Sequence, residues 1–236
     1  MTSFSWTAVA LLVFAGNCFA AVDQNKLATI VKDMLEKYDP TKQMFSMAVS
    51  IPVKKNTEQD YDIDQVFTTE NGNKVKEKIL SGGVYKEGRI VAAKVIPRKE
   101  NKKQYIHAEF RVLENFDTLL NNNYYDHDLL LFYVFGSPCY HKCTNEADKE
   151  NILTKLRMIQ KWKHYAFVFT RPFESKNPQM STTPDQRREA LKKLADVSGE
   201  ANQKLGLENI FRCFASNNQM QCISCSTNGE VADACV

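Results

Sequence analysis

Two nearly uninterrupted apolar runs constrain the fold of this chain more than any other feature of its sequence. Residues 129–135 read LLLFYVF and residues 165–170 read YAFVFT. Each run is too short to span a membrane as a helix and too apolar for a strand with one solvated face. Such runs are typical of strands in the middle of a sheet covered on both sides. The chain is therefore predicted to be an α/β protein.

Hydrophobic periodicity and turn signals give the order of the remaining elements. Helices are predicted at residues 23–38, 105–120, 148–162 and 184–204, and strands at residues 44–53, 89–97, 129–135, 165–170 and 210–215. Residues 56–83 are polar and are interpreted as a long excursion between two strands. The alternation of helices and strands predicts a mostly parallel sheet between helices. Because there is no internal repeat or linker-like stretch, residues 21–236 are predicted to form one domain.

The N-terminal end has the pattern of a secretory signal peptide. Residues 1–22 contain no charged side chain, and residues 7–16 form an apolar run half as long as a membrane-spanning helix of about 20 residues. Cys18 and Ala20 are small residues at the spacing that a signal peptidase recognises. Cleavage after Ala20 predicts a secreted, extracellular mature chain, residues 21–236, that does not enter a membrane. A buried N-terminal helix is the alternative.

Cysteine usage agrees with an oxidising compartment. The chain has seven cysteines, and removal of residues 1–20 leaves six. Four of them lie in a cysteine-rich C-terminal tail, residues 213–236: Cys213, Cys222, Cys225 and Cys235. In a secreted chain they are predicted to form two disulfides, with three pairings open. A structural zinc site made by the same four side chains is the alternative.

Two short motifs carry the side chains with the most distinctive chemistry. H-A-E at residues 107–109 begins a predicted helix, and P-C-Y-H-K-C at residues 138–143 follows a predicted central strand. Zinc binds imidazole and thiolate tetrahedrally, and a catalytic site keeps one position for water. We therefore expect His107, Cys139 and Cys143 to bind one zinc ion, with Glu109 as a proton carrier beside the water. A Cys139–Cys143 disulfide is the alternative, although it is awkward for two cysteines at the start of one helix.

These motifs form the H-x-E and P-C-x-x-C signature of zinc-dependent nucleobase deaminases, with three residues between the cysteines instead of two. On this signature and its element order, the chain resembles the AID/APOBEC cytidine deaminases. Its signal peptide and cysteine-rich end are most similar to the secreted branch described from ray-finned fishes. The resemblance implies a three-layer α/β/α cytidine deaminase-like fold with a five-stranded mixed sheet. A helix before the last strand implies that the fourth and fifth strands are parallel.

The same resemblance implies a function. It implies hydrolytic conversion of cytosine to uracil in single-stranded DNA or RNA, with one catalytic zinc ion and a role in immunity. Glu109 would move protons, while the Ala108 backbone N–H and the Ser137 carbonyl would contact the base. The T-R-P-F stretch at residues 170–173 is similar to the loop that selects the base 5′ to the target. Arg171 and Phe173 are therefore further candidate substrate contacts.

The charge distribution leaves the substrate class open. Formal net charge is only +3, yet residues 94–104 hold five basic and one acidic side chain, and residues 155–193 hold ten basic and three acidic. Such segments could contact the phosphates of a single strand, or they could be ordinary solvated helix faces. Two other functions remain open: a deaminase of free nucleosides or nucleotides, and a catalytically silent, zinc-stabilised binding protein. The sequence implies no obligate protein partner.

Overall fold

The computed structural model describes residues 22–41, 43–57, 60–122, 127–175, 181–199 and 202–236. Its helices are α1 (Gln24–Tyr38), α2 (Ile63–Thr69), α3 (Gly72–Leu80), α4 (Ala108–Leu113), α5 (Asp117–Leu120), α6 (Leu153–Leu156) and α7 (Pro184–Ala195). Its strands are β1 (Phe45–Ile51), β2 (Val84–Glu87), β3 (Ile90–Lys94), β4 (Ile96–Pro97), β5 (Tyr105–Ile106), β6 (Leu129–Gly136), β7 (His164–Arg171), β8 (Ile210–Ser216), β9 (Gln219–Ser224), β10 (Ser226–Thr227) and β11 (Glu230–Val231). The predicted signal peptide, residues 1–20, lies outside the described residues.

Seven strands form the central sheet in the order β2-β3-β1-β6-β7-β8-β9. The prediction of five strands is wrong, because β2 and β9 extend the two edges of the predicted set. The expectation of a mostly parallel sheet is also wrong: β7 is parallel to both of its neighbours, whereas the other pairs are antiparallel. The parallel pairing of the last two predicted strands is confirmed, since Phe167 of β7 stands opposite Ile210 of β8.

The sheet is buried on both faces, as its apolar runs predict. Along β6, Leu130 and Phe132 point into a core shared with residues of α4 to α7. Leu131 and Tyr133, which alternate with them, point into a second core shared with α1 to α3. Successive side chains of a strand face opposite sides of a sheet, so one strand contributes to both cores. Helices therefore cover both faces of the mixed sheet.

Local backbone chemistry accounts for several helices that differ from prediction. Residues 56–83, predicted to be a long excursion between two strands, contain α2 and α3. α3 begins because Asn71 accepts hydrogen bonds from the N–H groups of Asn73 and Lys74. Residues 105–120 are divided into β5, α4 and α5 instead of forming one helix, and residues 148–152 lie in turns before α6. α7 starts at the predicted Pro184 but ends at Ala195 instead of continuing to residue 204.

The tail is a disulfide-linked hairpin and turn. β8 and β9 are joined by Asn217 and Asn218, both with positive φ (50° and 62°), as two-residue hairpin turns require. One disulfide joins Cys213 to Cys222 across this hairpin, and a second joins Cys225 to Cys235. Two tail disulfides are therefore confirmed, and the alternative of a four-cysteine zinc site is wrong. Among the described residues, no helix combines the length and apolar content that crossing a bilayer requires.

Candidate metal centre

His107 is held at the point where a short hairpin meets α4. β4 pairs with β5, and the chain then passes through His107 in an extended conformation (φ −72°, ψ 150°) before α4 begins. Further along the helix, the Arg111 guanidinium donates to the carbonyl oxygens of Lys94 (2.6 Å) and Gly82 (2.8 Å). These bonds attach α4 to the end of β3 and to the residues just before β2. The position of the His107 ring therefore depends on the hairpin and on this attachment.

Cys139 and Cys143 lie in a turn that follows β6. The Thr144 N–H donates to the Cys139 carbonyl (3.1 Å), and the Ile152 N–H donates to the Cys143 carbonyl (2.8 Å). The prediction that the two cysteines begin a helix is wrong, since α6 begins only at Leu153. The Cys143 N–H lies 3.4 Å from the Cys139 sulfur. A backbone N–H, and not a helix terminus, therefore faces this sulfur.

The structure brings the three predicted zinc ligands together. The two sulfurs are 3.3 Å apart, and His107 Nδ1 is 3.0 Å from Cys143 Sγ and 3.8 Å from Cys139 Sγ. Zinc–sulfur and zinc–nitrogen bonds in a tetrahedron place such donor atoms about 3.5–3.8 Å apart. Within the described residues, this is the group of three His, Cys, Asp or Glu side chains close enough to share a metal ion. The donor set fits zinc, and its atoms lie close enough together to share one ion, with the sulfur–sulfur and the His107–Cys143 separations shorter than in that tetrahedron.

Glu109 lies directly beside these donors. Its carboxylate is buried, and Oε1 is 2.9 Å from Cys143 Sγ and 3.7 Å from His107 Nδ1. Because Glu109 is the second residue of α4 and His107 precedes that helix, one turn of backbone fixes both side chains. The arrangement places a carboxylate within hydrogen-bond distance of a ligand atom. A group in this position can exchange protons with a molecule bound next to the metal ligands.

Contacts within the cluster shift the pKa values of its members. Burial alone would lower the pKa of His107, but contacts with Cys139 and Glu109 raise it to about 10. The contact with Cys143 lowers the pKa of Cys139 to about 5, against the effect of burial. Burial raises the pKa of Cys143, whereas Glu109 has a lowered pKa because His107 outweighs its burial. Ligation requires neutral imidazole and thiolates, so metal binding at these atoms would release protons.

Two of the predicted substrate contacts, Arg171 and Phe173, form hydrogen bonds with a third, Ser137. Its N–H donates to the Arg171 carbonyl (2.8 Å), and its Oγ accepts from the Phe173 N–H (2.9 Å). Arg171 is exposed with its guanidinium 5.4 Å from the centre of the Phe135 ring, while Phe173 packs partly against the core. Ala108 is the buried first residue of α4, between His107 and Glu109. The substrate roles of these residues remain predictions.

Sequence reasoning missed a buried charge cluster next to the cysteine turn. Glu150 is 5% exposed and forms ion pairs with Arg98 and Lys142. In the sequence, Glu150 falls on the polar side of a predicted helix, and Arg98 falls in a basic segment. Because Arg98 and Glu150 are 52 positions apart, no local pattern connects them.

One comparison with known proteins gives a match that includes this site. No curated protein matches the chain. The model of one protein family, described as Secreted Novel AID/APOBEC-like Deaminase 1, matches residues 24–236. That match begins at the first residue of α1 and includes the histidine, the glutamate and the two cysteines of the cluster. The chain therefore belongs to the Secreted Novel AID/APOBEC-like Deaminase 1 family.

Proposed function

We propose that this protein is a secreted, zinc-dependent hydrolytic deaminase that converts cytosine to uracil in single-stranded nucleic acid. In this proposal, residues 1–20 are a signal peptide and residues 21–236 form one cytidine deaminase-like domain. The observation that carries it is the buried Glu109 carboxylate, 2.9 Å from a sulfur of the His107, Cys139 and Cys143 cluster. Membership of an AID/APOBEC-like deaminase family supports the reaction class.

Each residue of the cluster then has a defined task. His107, Cys139 and Cys143 hold a zinc ion, which when bound supplies the Lewis acidity that makes a water molecule nucleophilic near neutral pH. Glu109 would accept a proton from a water molecule beside the cluster and deliver it to N3 of cytosine as the water oxygen bonds to C4. Glu109 would then carry the proton of the new C4 hydroxyl to the exocyclic nitrogen, so that the bond between C4 and that nitrogen breaks, ammonia leaves and the C4 carbonyl of uracil remains.

The surroundings of the cluster offer contacts for the base. The Ala108 N–H, at the start of α4, is proposed to donate to the base carbonyl, and the Ser137 carbonyl to accept from the exocyclic amine. Ser137 also fixes the segment with Arg171 and Phe173, through one backbone–backbone hydrogen bond and one hydrogen bond that its Oγ accepts from the Phe173 N–H. We propose that this segment contacts the nucleotide 5′ to the target. A role in immunity would follow from action on foreign nucleic acid outside the cell.

A basic hairpin tip favours a strand over a free nucleoside. Lys99, Lys102 and Lys103 are exposed between β4 and β5, and Tyr105 at the end of this tip is 49% exposed, two residues before His107. Lysines bind phosphates, and exposed aromatic rings stack on unpaired bases. The second basic segment supports the proposal less, because two of its charges pair with acidic groups of the tail: Arg188 with Asp233, and Lys192 with Glu230.

The proposal is tested by product analysis of the zinc-loaded mature chain. It is incubated with cytosine-containing single-stranded DNA, single-stranded RNA and free cytidine, beside Glu109→Ala, and uracil is quantified by mass spectrometry. Uracil in the oligonucleotides, absent with Glu109→Ala at equal zinc content, supports the proposal. Uridine from free cytidine, with no product from the oligonucleotides, would replace the proposal with a nucleoside deaminase. Oligonucleotide binding without any product would replace it with a catalytically silent binding protein.

A matched pair of variants separates the two substrate classes. Alanine at Lys99, Lys102 and Lys103 should raise the KM for oligonucleotides and make it less salt-dependent, with free cytidine unaffected. The control removes the same charge from exposed lysines elsewhere: Lys32, Lys55 and Lys74. Equal effects of the two triple variants would contradict a role for the hairpin tip.

A further inference from the structure

The candidate metal site is assembled from two segments that are far apart in the chain. His107 follows the β4–β5 hairpin, whereas the cysteine pair begins 32 residues later in the turn after β6. Ligand atoms must keep their spacing to within a few tenths of an ångström for tight binding. Something must therefore hold the hairpin against the turn.

Glu150 contacts both segments at once. One carboxylate oxygen accepts a hydrogen bond from the guanidinium of Arg98, which belongs to the hairpin. The other lies 2.5 Å from the ammonium of Lys142, the residue before Cys143. The same Lys142 ammonium donates to the carbonyl of Tyr105 (2.5 Å), two residues before His107. Through these contacts, Glu150 and Lys142 join the hairpin that precedes His107 to the turn that contains Cys139 and Cys143.

The segment that carries Glu150 is itself fixed to the cysteine turn. The Glu150 N–H donates to Asp148 Oδ1 (2.7 Å), and the Ile152 N–H donates to the carbonyl of Cys143 (2.8 Å). The carboxylate therefore acts from a backbone with little freedom to shift. A change at Glu150 is transmitted to the spacing between the ligands.

The charges of the cluster give the same residue a second effect. The side chains of Arg98 and Lys142 are only 18% and 13% exposed, and Glu150 is their shared acidic partner. Without that negative charge, two poorly solvated cations would remain beside a site for a divalent cation. Their repulsion would weaken metal binding, because buried charges are screened far less than exposed ones.

We propose that Glu150 is a positioning residue that sets the metal affinity of the His107, Cys139 and Cys143 site. It does so by clamping the β4–β5 hairpin against the cysteine turn and by neutralising Arg98 and Lys142. The proposal rests on the proposed zinc site. Loss of a residue that orients metal ligands costs about 10–100-fold in metal affinity, which is the effect expected for Glu150→Gln.

The test compares two buried carboxylates in the full mature chain. Asp128→Asn is the control, because Asp128 is also buried, pairs with Arg89, and precedes the end of β6 that is remote from the cysteine turn. Zinc dissociation constants are measured by competition with a chromophoric chelator, and melting temperatures are measured in parallel. Glu150→Gln should bind zinc about 10–100-fold more weakly. Asp128→Asn should lower the melting temperature and leave zinc affinity within about twofold of the unaltered chain.

Other outcomes would overturn either the proposed function or the role of Glu150. If the unaltered chain binds no zinc, the proposed function itself fails. If it binds zinc and Glu150→Gln binds equally well, or if both variants weaken binding equally, only the role of Glu150 fails. Should Glu150→Gln not fold, Lys142→Gln removes one arm of the clamp. It should then weaken zinc binding, and an affinity equal to that of the unaltered chain would overturn the proposal.

Discussion

The two groups of cysteines in this chain differ in what surrounds them. Cys139 and Cys143 are free thiols in one tight turn, with their sulfurs 3.3 Å apart and facing His107 and Glu109. The tail cysteines are paired with each other, and Cys213 stands directly opposite Cys222 in the antiparallel register of β8 and β9. The turn cysteines therefore face a nitrogen donor and a carboxylate, whereas each tail cysteine faces only the sulfur of its partner.

In this chain, the chemistry of a cysteine is decided by its neighbouring groups more than by the redox compartment. Contacts with Cys143 and with His107 lower the pKa of Cys139 against the effect of burial, which favours the thiolate that metal binding requires. The two disulfides also occupy different layers. Cys225 and Cys235 belong to the core that includes Cys139 and Cys143, whereas Cys213 and Cys222 belong to the core under α1 to α3. The tail therefore stabilises both faces of the sheet.

The largest effect is expected from removing one sulfur of the turn. Cys143→Ser should lose its zinc, from about one ion per chain to nearly none, because a three-donor site cannot hold the ion with one sulfur missing. Deamination should then fall below detection. Metal analysis and product analysis on the same sample measure both quantities. Full zinc content and activity in Cys143→Ser would contradict the distinction between the two groups.

The next largest effect separates the role of the ligands from that of the proton carrier. Glu109→Gln should slow deamination by about 10²–10⁴-fold, the usual contribution of general acid–base catalysis, while the zinc content stays at one per chain. Turnover rates normalised to bound zinc measure this effect. A variant that loses zinc in proportion to its activity would instead make Glu109 a ligand.

Removing a tail disulfide should destabilise the chain without emptying the metal site. Cys225→Ala combined with Cys235→Ala opens a loop with a sequence separation of 10, worth about 2–3 kcal/mol of unfolding free energy. In a chain of this size the melting temperature should fall by roughly 4–12 °C. The pair Cys213→Ala and Cys222→Ala, with a separation of 9, should behave alike. Loss of zinc from either double variant would show that the two groups are not independent.

The smallest effect on the fold is expected from removing the metal alone, which abolishes activity but breaks no covalent bond of the protein. Chelation should leave both disulfides intact and make two cysteines per chain available to alkylation, Cys139 and Cys143, while the tail cysteines react only after reduction. Peptide mass spectrometry counts the modified positions with and without zinc. Equal modification of the turn cysteines in zinc-loaded and chelated protein would argue against their ligation.

Sequence patterns predicted the centre of the sheet better than its edges. The apolar runs at residues 129–135 and 165–170 mark β6 and β7 because strands buried on both faces need no alternation. Two edge strands escaped notice: β2 has only four residues with one of them buried, and β9 alternates weakly. The Asn217-Asn218 pair could have indicated the β8–β9 hairpin, because asparagine is favoured in two-residue turns.

The candidate metal site could be predicted because its motifs are local. The contacts that hold its ligands in place could not be predicted. His107 and the cysteines carry recognisable chemistry at a recognisable spacing. The two cysteines are expected at the start of a helix, whereas backbone hydrogen bonds that no sequence pattern registers hold them in a turn. Glu150 was missed for a different reason. Its role depends on ion pairs with Arg98 and Lys142, and these residues lie next to it only in the folded chain.

Zinc is proposed to bind at the cysteine turn and not at the tail. X-ray absorption spectroscopy of the zinc-loaded mature chain distinguishes the two places, because it counts the sulfur atoms around the ion. Binding at the turn gives two sulfur ligands at about 2.3 Å and one histidine nitrogen at about 2.0 Å, with a light-atom ligand completing the set. Four sulfur ligands, or a spectrum unchanged when Cys139 and Cys143 are replaced by serine, would contradict it.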